Sequence, residues 1–70
     1  MTNVDLLKKK IKERGVTQEY IRKELDISRF TWYKKRDGIL DFKASEIQIL
    51  CKILGITTLR EKEQIFFAKT

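Results

Sequence analysis

Residues 17–38, TQEYIRKELDISRFTWYKKRDG, decide the fold that this sequence predicts. Thr17 is a favourable N-cap for a helix over 18–25, and Ser28 is a favourable N-cap for a helix over 29–36. Only an Asp-Ile dipeptide and the second cap separate the two helices, and an Asp-Gly dipeptide ends the second one. The stretch therefore predicts two short helices joined by a tight turn.

Helical signals continue on both sides of this stretch. Helices are predicted over 4–14 and 44–54, each followed by a glycine, and a fifth helix begins after Thr58. Thr58 and Glu61 have the S/T-x-x-E spacing of a capping box. The cap of the first helix is Thr2 or Asn3. Because proline is absent and strand-type alternation is nowhere sustained, the sequence predicts an all-α fold of about five short helices in one domain over 1–70.

Apolar residues recur at helical spacing and mark the expected core. On the first four helices and the turn, these positions are Val4, Leu7, Ile11, Ile21, Leu25, Ile27, Trp32, Ile47, Leu50, Cys51 and Leu54. The fifth helix carries Leu59, Ile65, Phe66 and Phe67, which are candidates to cover the remaining apolar side chains of the fourth helix. We also expect the apolar side chains of the connector over 39–42 (Ile39, Leu40 and Phe42) to tuck under the bundle.

The net charge of +6 is distributed unevenly along the chain. Residues 1–38 contain eleven Lys/Arg against six Asp/Glu, whereas residues 39–70 contain five against four. This imbalance favours a polyanionic partner for the first half. The lysines at positions 8, 9, 10 and 12 contribute to that charge, but a solvated helix face explains this run equally well.

The composition argues against an enzyme. Histidine is absent, Cys51 is the single cysteine, and no glycine-rich phosphate loop or cluster of metal ligands occurs. We therefore expect no catalytic residue, no metal site and no cofactor. The chain has no apolar stretch typical of a signal peptide or a membrane span, and its cysteine usage is typical of a reducing cytoplasm.

Helical geometry sorts the side chains of the helix over 29–36 into two sides. If Trp32 points at the core, then Ser28, Lys35 and Arg36 lie near it. The outward side then carries Arg29, Phe30, Tyr33 and Lys34. Two cations and two aromatic rings suit the major groove of DNA, although Phe30 and Tyr33 would also suit packing against another part of this protein.

Each outward side chain has a plausible role on a duplex. Arg29 can bind guanine O6 and N7 through its fork, and Phe30 can lie against a thymine methyl group. Lys34 can reach a base edge or a phosphate, and Tyr33 can reach a phosphate oxygen. Gln18 lies at the start of the preceding helix, where it is a candidate phosphate clamp or, alternatively, a solvent-facing side chain.

The stretches VTQEYIRKELDIS and RFTWYKKRDG resemble the Cro/repressor class of helix-turn-helix proteins from phages and mobile elements. The likeness extends through DFKASEIQILCKILGI to EQIFFAKT. It implies a sequence-specific double-stranded DNA-binding transcriptional regulator, a repressor type of protein whose third helix enters the major groove. The DNA-contacting positions of the family fall on Gln18, Ser28, Arg29, Phe30 and Lys34. The alternative is a protein-interaction adaptor or antirepressor that uses the same fold.

Three residues depart from the pattern of that family. Arg22 stands where relatives usually have a small alanine, Asp26 stands at the usual turn glycine, and Arg36 stands where many relatives have leucine. Asp tolerates the left-handed conformation better than most residues. The stem of Arg36 can cover apolar surface while its head stays in water.

The second half of the chain has more apolar side chains than one core requires. Ile49 and Ile53 lie on the helix side opposite the main apolar stripe, and Phe67 lies near the end of the chain. Either the fifth helix covers Ile49 and Ile53, or a second copy of the protein does. Because relatives often pair through this region, we expect a possible homodimer with Phe67 at its interface.

Overall fold

A computed structural model describes residues 1–68, and these form five α-helices without any strand. The helices are α1 Val4–Arg14, α2 Gln18–Leu25, α3 Arg29–Arg36, α4 Ala44–Leu54 and α5 Leu59–Phe66. The predicted all-α class, the predicted bounds of the first four helices and the predicted start of the fifth are therefore confirmed. In this part of the chain, none of the helices combines the length and the apolar character that crossing a bilayer requires.

Side-chain caps explain where four of the helices begin. The side-chain oxygens of Asn3, Thr17, Ser28 and Thr58 each accept a hydrogen bond from the backbone N–H three residues further on. These bonds satisfy donors that have no partner inside the helix. The predicted capping box at Thr58 is only half formed, since the Glu61 carboxylate lies 3.3 Å from Lys10 Nζ instead.

The turn between α2 and α3 depends on Asp26. This residue adopts a left-handed conformation with φ 55° and ψ 47°, and it is the one non-glycine with positive φ within residues 1–68. Its N–H donates to the carbonyls of Arg22 and Lys23, which closes α2. The expectation that this position requires a left-handed residue is confirmed.

The core is formed by side chains from all five helices and from the segments that join them. Trp32 is 1% exposed, and its ring centroid lies 6.0 Å from that of Phe42, which lies 5.7 Å from that of Phe66. The other buried apolar residues are Leu7, Ile11, Ile21, Leu25, Ile47, Leu50, Leu54, Ile56 and Ile65. Ile27 is half-buried against this core. Cys51 is half-buried as well, and loss of water contact raises the pKa of its thiol.

The expectation for the connector over 39–42 is wrong for two of its three apolar side chains. Phe42 is buried, but Ile39 is 69% exposed and Leu40 is 43% exposed. The backbone N–H groups of Ile39 and Leu40 both donate to the Lys34 carbonyl, at 2.9 and 3.2 Å. This tight turn over the end of α3 leaves both side chains outside the bundle before the chain reaches Phe42.

A buried ion pair joins α3 to α4. Lys35 Nζ lies 2.5 Å from Glu46 Oε1, and both side chains are 7% exposed. The same oxygen accepts a hydrogen bond of 2.8 Å from the Lys43 N–H at the start of α4. Glu46 therefore caps α4 and neutralises one of the cations of α3, a role that the sequence did not indicate.

The fifth helix closes the bundle against α1. The Asn3 N–H donates to the Ile65 carbonyl at 2.6 Å, and the Ala68 N–H donates to the Met1 carbonyl at 2.9 Å. Ile65 is buried, whereas Leu59 is 68% exposed and so is not part of the core. Ile49 and Ile53 are half-buried and pack against the core of their own chain.

The conformation of Asp26 leads to a first prediction. In Asp26→Ala, the Cβ strain of a left-handed residue remains without a short polar side chain to offset it, so the free energy of unfolding should fall by about 1 kcal/mol. Asp26→Gly relieves the strain and should be more stable than the alanine variant. Urea denaturation of both variants measures the difference, and equal stabilities would contradict this account of the turn.

The ion pair between α3 and α4 leads to a second prediction. Glu46→Ala leaves the Lys35 ammonium buried without its counter-charge and removes the cap of α4, so the free energy of unfolding should fall by about 3 kcal/mol. Ser45→Ala, at the exposed neighbouring position, should change it by less than about 0.5 kcal/mol. Similar losses in the two variants would show that the ion pair contributes little.

Candidate nucleic-acid interface

The third helix turns one side to the core and the other to solvent. Trp32 and Lys35 are buried, at 1% and 6% exposure. On the opposite side, Phe30 is 68% exposed, Tyr33 is 42% exposed and the side chain of Arg29 is 66% exposed. The structure thus brings the predicted outward residues together on one surface, and the intramolecular packing considered for Phe30 and Tyr33 is not observed.

Both exposed aromatic rings of α3 are paired with cations of the same helix. Lys34 Nζ lies 4.4 Å from the centroid of the Phe30 ring, and the Arg36 guanidinium carbon lies 4.7 Å from that of Tyr33. Spacings of four and three residues place such partners side by side on a helix. The attraction between a cation and an aromatic face holds these side chains in an ordered layer.

The side chain of Gln18 connects the start of α2 to α3. Its Oε1 accepts a hydrogen bond of 3.0 Å from Trp32 Nε1 and one of 2.7 Å from Arg36 Nη1. Gln18 is exposed at the edge of the surface that Tyr33 and Arg36 form. Gln18 therefore lies beside the outward residues of α3, and the sequence did not predict its contacts with Trp32 and Arg36.

Arg36 has more contacts than its sequence position suggested. Its Nε and Nη2 donate to the two carboxylate oxygens of Asp37, at 2.9 and 3.0 Å. These hydrogen bonds hold the pKa of Asp37 below its ordinary value and raise the pKa of Arg36. Lys8 Nζ lies 3.6 Å from the same carboxylate, so one lysine of the basic run on α1 is also found at this end of α3.

A second network supports the turn and the beginning of α3. Glu19 binds Arg22, and Arg22 Nη1 donates to the Ile27 carbonyl at 3.2 Å. The hydrogen bond from Arg22 lowers the pKa of Glu19. Glu19 Oε2 also lies 3.5 Å from Arg29 Nη2. Arg22, which stands where the resemblance expects a small alanine, therefore makes a hydrogen bond across the turn.

Ser28 contributes to the surface mainly through its role in helix capping. Its Oγ accepts a hydrogen bond of 3.1 Å from the Thr31 N–H and donates one of 2.9 Å to Thr31 Oγ1. The residue is exposed beside Arg29 at the start of α3. The Ser28 hydroxyl already makes both of these hydrogen bonds. A contact with a duplex, as predicted, would therefore have to be made in addition to them or replace one of them.

The four cations of α3 differ in how far acidic groups neutralise them. Lys35 and Arg36 bind Glu46 and Asp37 directly, whereas Arg29 has only the 3.5 Å contact with Glu19. Lys34 has no ion pair within residues 1–68. The positive charge that faces solvent is therefore concentrated on Arg29 and Lys34. Within the same residues, no three His, Cys, Asp or Glu side chains are grouped as metal ligands would be.

Comparisons of this chain with protein-family models, with curated proteins and with solved structures found no match.

The contact between Arg36 and Asp37 predicts a pH effect. Because the folded-state pKa of Asp37 lies below the ordinary value of 3.8, its contribution to stability is present above that value. The contribution disappears as the pH falls through the lower, folded-state pKa. An NMR titration of the Asp37 carboxyl should show a larger upward shift of its pKa in Arg36→Met than in Lys8→Met. A larger upward shift of the Asp37 pKa in Lys8→Met would show instead that Lys8 is the main cause of the lowered pKa.

Proposed function

We propose that this chain is a sequence-specific double-stranded DNA-binding transcriptional regulator that inserts α3 into the major groove. One observation carries the proposal: on the outward side of α3, Arg29, Phe30 and Tyr33 are exposed, and Lys34 is half-buried with its ammonium over the Phe30 ring. A monomer gains nothing from exposing two aromatic rings, whereas a major groove about 12 Å wide admits a helix with such side chains.

The arrangement of these side chains supports two separate roles on DNA, in which some residues contact base edges and others bind the phosphate backbone. Arg29 lies in the first turn of α3, and its fork can bind guanine O6 and N7. Phe30 extends next to it and can contact a thymine methyl group, while Lys34 reaches a base edge or a phosphate. Gln18 and Tyr33 lie at the other edge of the surface, where contacts to phosphate oxygens would fix the register of the helix.

The proposed family, the Cro/repressor class, is supported by the helix order and by the turn. Asp26 is left-handed where the resemblance expects a glycine. The resemblance implies four buried positions: Ile21, Leu25 and Trp32 are buried, and Ile27 is half-buried against the core. A regulator of this kind needs no cofactor, and we propose none. The adaptor or antirepressor alternative uses the same fold without binding a duplex.

We also propose that a second copy of the chain covers the exposed apolar side chains of α1 and α5. Phe67 is 53% exposed, Leu59 is 68% exposed and Leu6 is 37% exposed. Phe67 and Leu6 line one open depression. Ile49 and Ile53 are left out of this interface because they pack against the core. A two-fold dimer would place two copies of α3 on half-sites about one helical turn apart.

The DNA-binding proposal is tested by selecting random duplexes on the purified protein and titrating the recovered site. Arg29→Ala should weaken binding to that site by about 1–3 kcal/mol and relax the preference at one base pair, because it removes a bidentate base contact. Lys52→Ala removes the same charge from α4 and should keep the preference. An affinity for the selected site that Arg29→Ala leaves unchanged would contradict the assignment. Failure to enrich any duplex would favour the adaptor.

The dimer proposal is tested by sedimentation equilibrium. The wild-type chain should show a concentration-dependent increase in mass, and Phe67→Asp should remain a monomer because its charge would have to lose water at the interface. Ser45→Asp adds a charge on an exposed position at the start of α4, outside the depressions that Leu6, Leu59 and Phe67 line, and should still associate. A wild-type chain that stays monomeric at millimolar concentration would exclude this interface.

A further inference from the structure

The side-chain amide of Gln18 has one possible orientation in this fold. An amide oxygen only accepts hydrogen bonds and an amide nitrogen only donates them. The group that faces Trp32 Nε1 and Arg36 Nη1 meets two donors, at 3.0 and 2.7 Å, so it has to be the oxygen. A reversed amide would place three donor groups against one another without an acceptor.

This orientation leaves the NH2 group as the part of the amide that an external group can bind. Gln18 Nε2 donates to no acceptor within residues 1–68, and the residue is exposed. Both protein donors already occupy the oxygen. An incoming group therefore meets N–H donors, and the chemistry that binds them is that of an acceptor such as a phosphate oxygen.

The contacts of Arg36 assign it a role behind Gln18. Two of its nitrogens donate to Asp37 and the third donates to Gln18, so its fork is directed at groups of the protein itself. The Tyr33 ring lies against its guanidinium. Trp32 is 1% exposed and cannot reach a ligand. Both residues can act on a ligand through Gln18.

We infer that Trp32 and Arg36 are positioning residues that hold Gln18 as a donor-only clamp for a backbone phosphate. The inference rests on the proposed function. It adds a restriction on specificity, because a bidentate contact of glutamine with adenine requires both the oxygen and the nitrogen of the amide. With its oxygen occupied, Gln18 cannot make that contact, and as a clamp for a backbone phosphate it contributes affinity that is the same for every sequence.

The experiment compares Gln18→Met with Gln48→Met on the selected duplex and on single-base variants of it. Gln48 is an exposed glutamine of α4 and is the matched control. Gln18→Met should lose about tenfold in affinity on all of these duplexes alike, the size expected for one hydrogen bond to a charged group. Gln48→Met should bind as the wild type does.

The role of Arg36 is tested by a double-mutant cycle. Arg36→Lys keeps the charge but loses the fork, so it should weaken binding in the Gln18 background and have almost no effect in the Gln18→Met background. In the free protein, the NMR signal of the Trp32 indole N–H should move in Gln18→Met, because its acceptor is lost. That readout requires no DNA.

The outcomes separate this inference from the proposed function. If the wild type and Gln48→Met bind the selected duplex and Gln18→Met binds as tightly, or changes the base preference, the clamp is wrong and the DNA-binding function survives. Additive effects of the two substitutions would overturn the positioning role of Arg36. A wild-type chain that binds no duplex overturns both proposals.

Discussion

The burial of Trp32 is the constraint on which the candidate interface depends. The indole is 1% exposed, packs against Phe42 and donates its N–H to Gln18. Because side chains on a helix are separated by 100° per residue, fixing one of them fixes the direction of all the others. The exposure of Phe30 on the far side of α3, with Lys34 half-buried against its ring, follows from the position of this single indole.

Polar contacts on both sides of Trp32 add to that constraint. Lys35 is tied to Glu46 of α4, and Arg36 is tied to Gln18 at the start of α2. These contacts resist rotation of α3 about its axis in either direction. They also direct two of the four cationic side chains of α3, Lys35 and Arg36, at groups of the protein itself. The charge that remains for an external partner is carried by Arg29 and Lys34, which lie together with the exposed rings rather than around the whole helix.

The sequence predicted what depends on local interactions. The helix bounds follow from caps such as Thr17 and Ser28, whose hydrogen bonds reach only three residues along the chain. The turn at Asp26 follows from a single backbone conformation. The outward positions of Phe30, Tyr33 and Lys34 follow from helical periodicity once Trp32 is recognised as buried. Arg29 and Lys35 are both three residues from Trp32, yet the Arg29 side chain is exposed and Lys35 is buried, a difference that periodicity does not predict.

Contacts between distant residues were not predictable in the same way. The bond from Arg36 to Gln18 spans 18 residues and the Lys35–Glu46 pair spans 11, and no spacing rule connects such positions. Ile39 and Leu40 were expected inside because they are apolar, but the backbone turn over the end of α3 decides where they point. Leu59 was a candidate to pack against the fourth helix for the same reason, but it is exposed, because the docking of α5 on α1 leaves this residue in solvent.

The central claim is that the outward side of α3 contacts a duplex, and NMR chemical-shift mapping tests it most directly. The backbone and side-chain signals of the labelled protein are followed as a selected duplex is added. The account predicts that the largest changes occur on Gln18 and over Arg29–Arg36. Changes confined to Leu6, Leu59 and Phe67, with the signals of α3 unmoved, would contradict it.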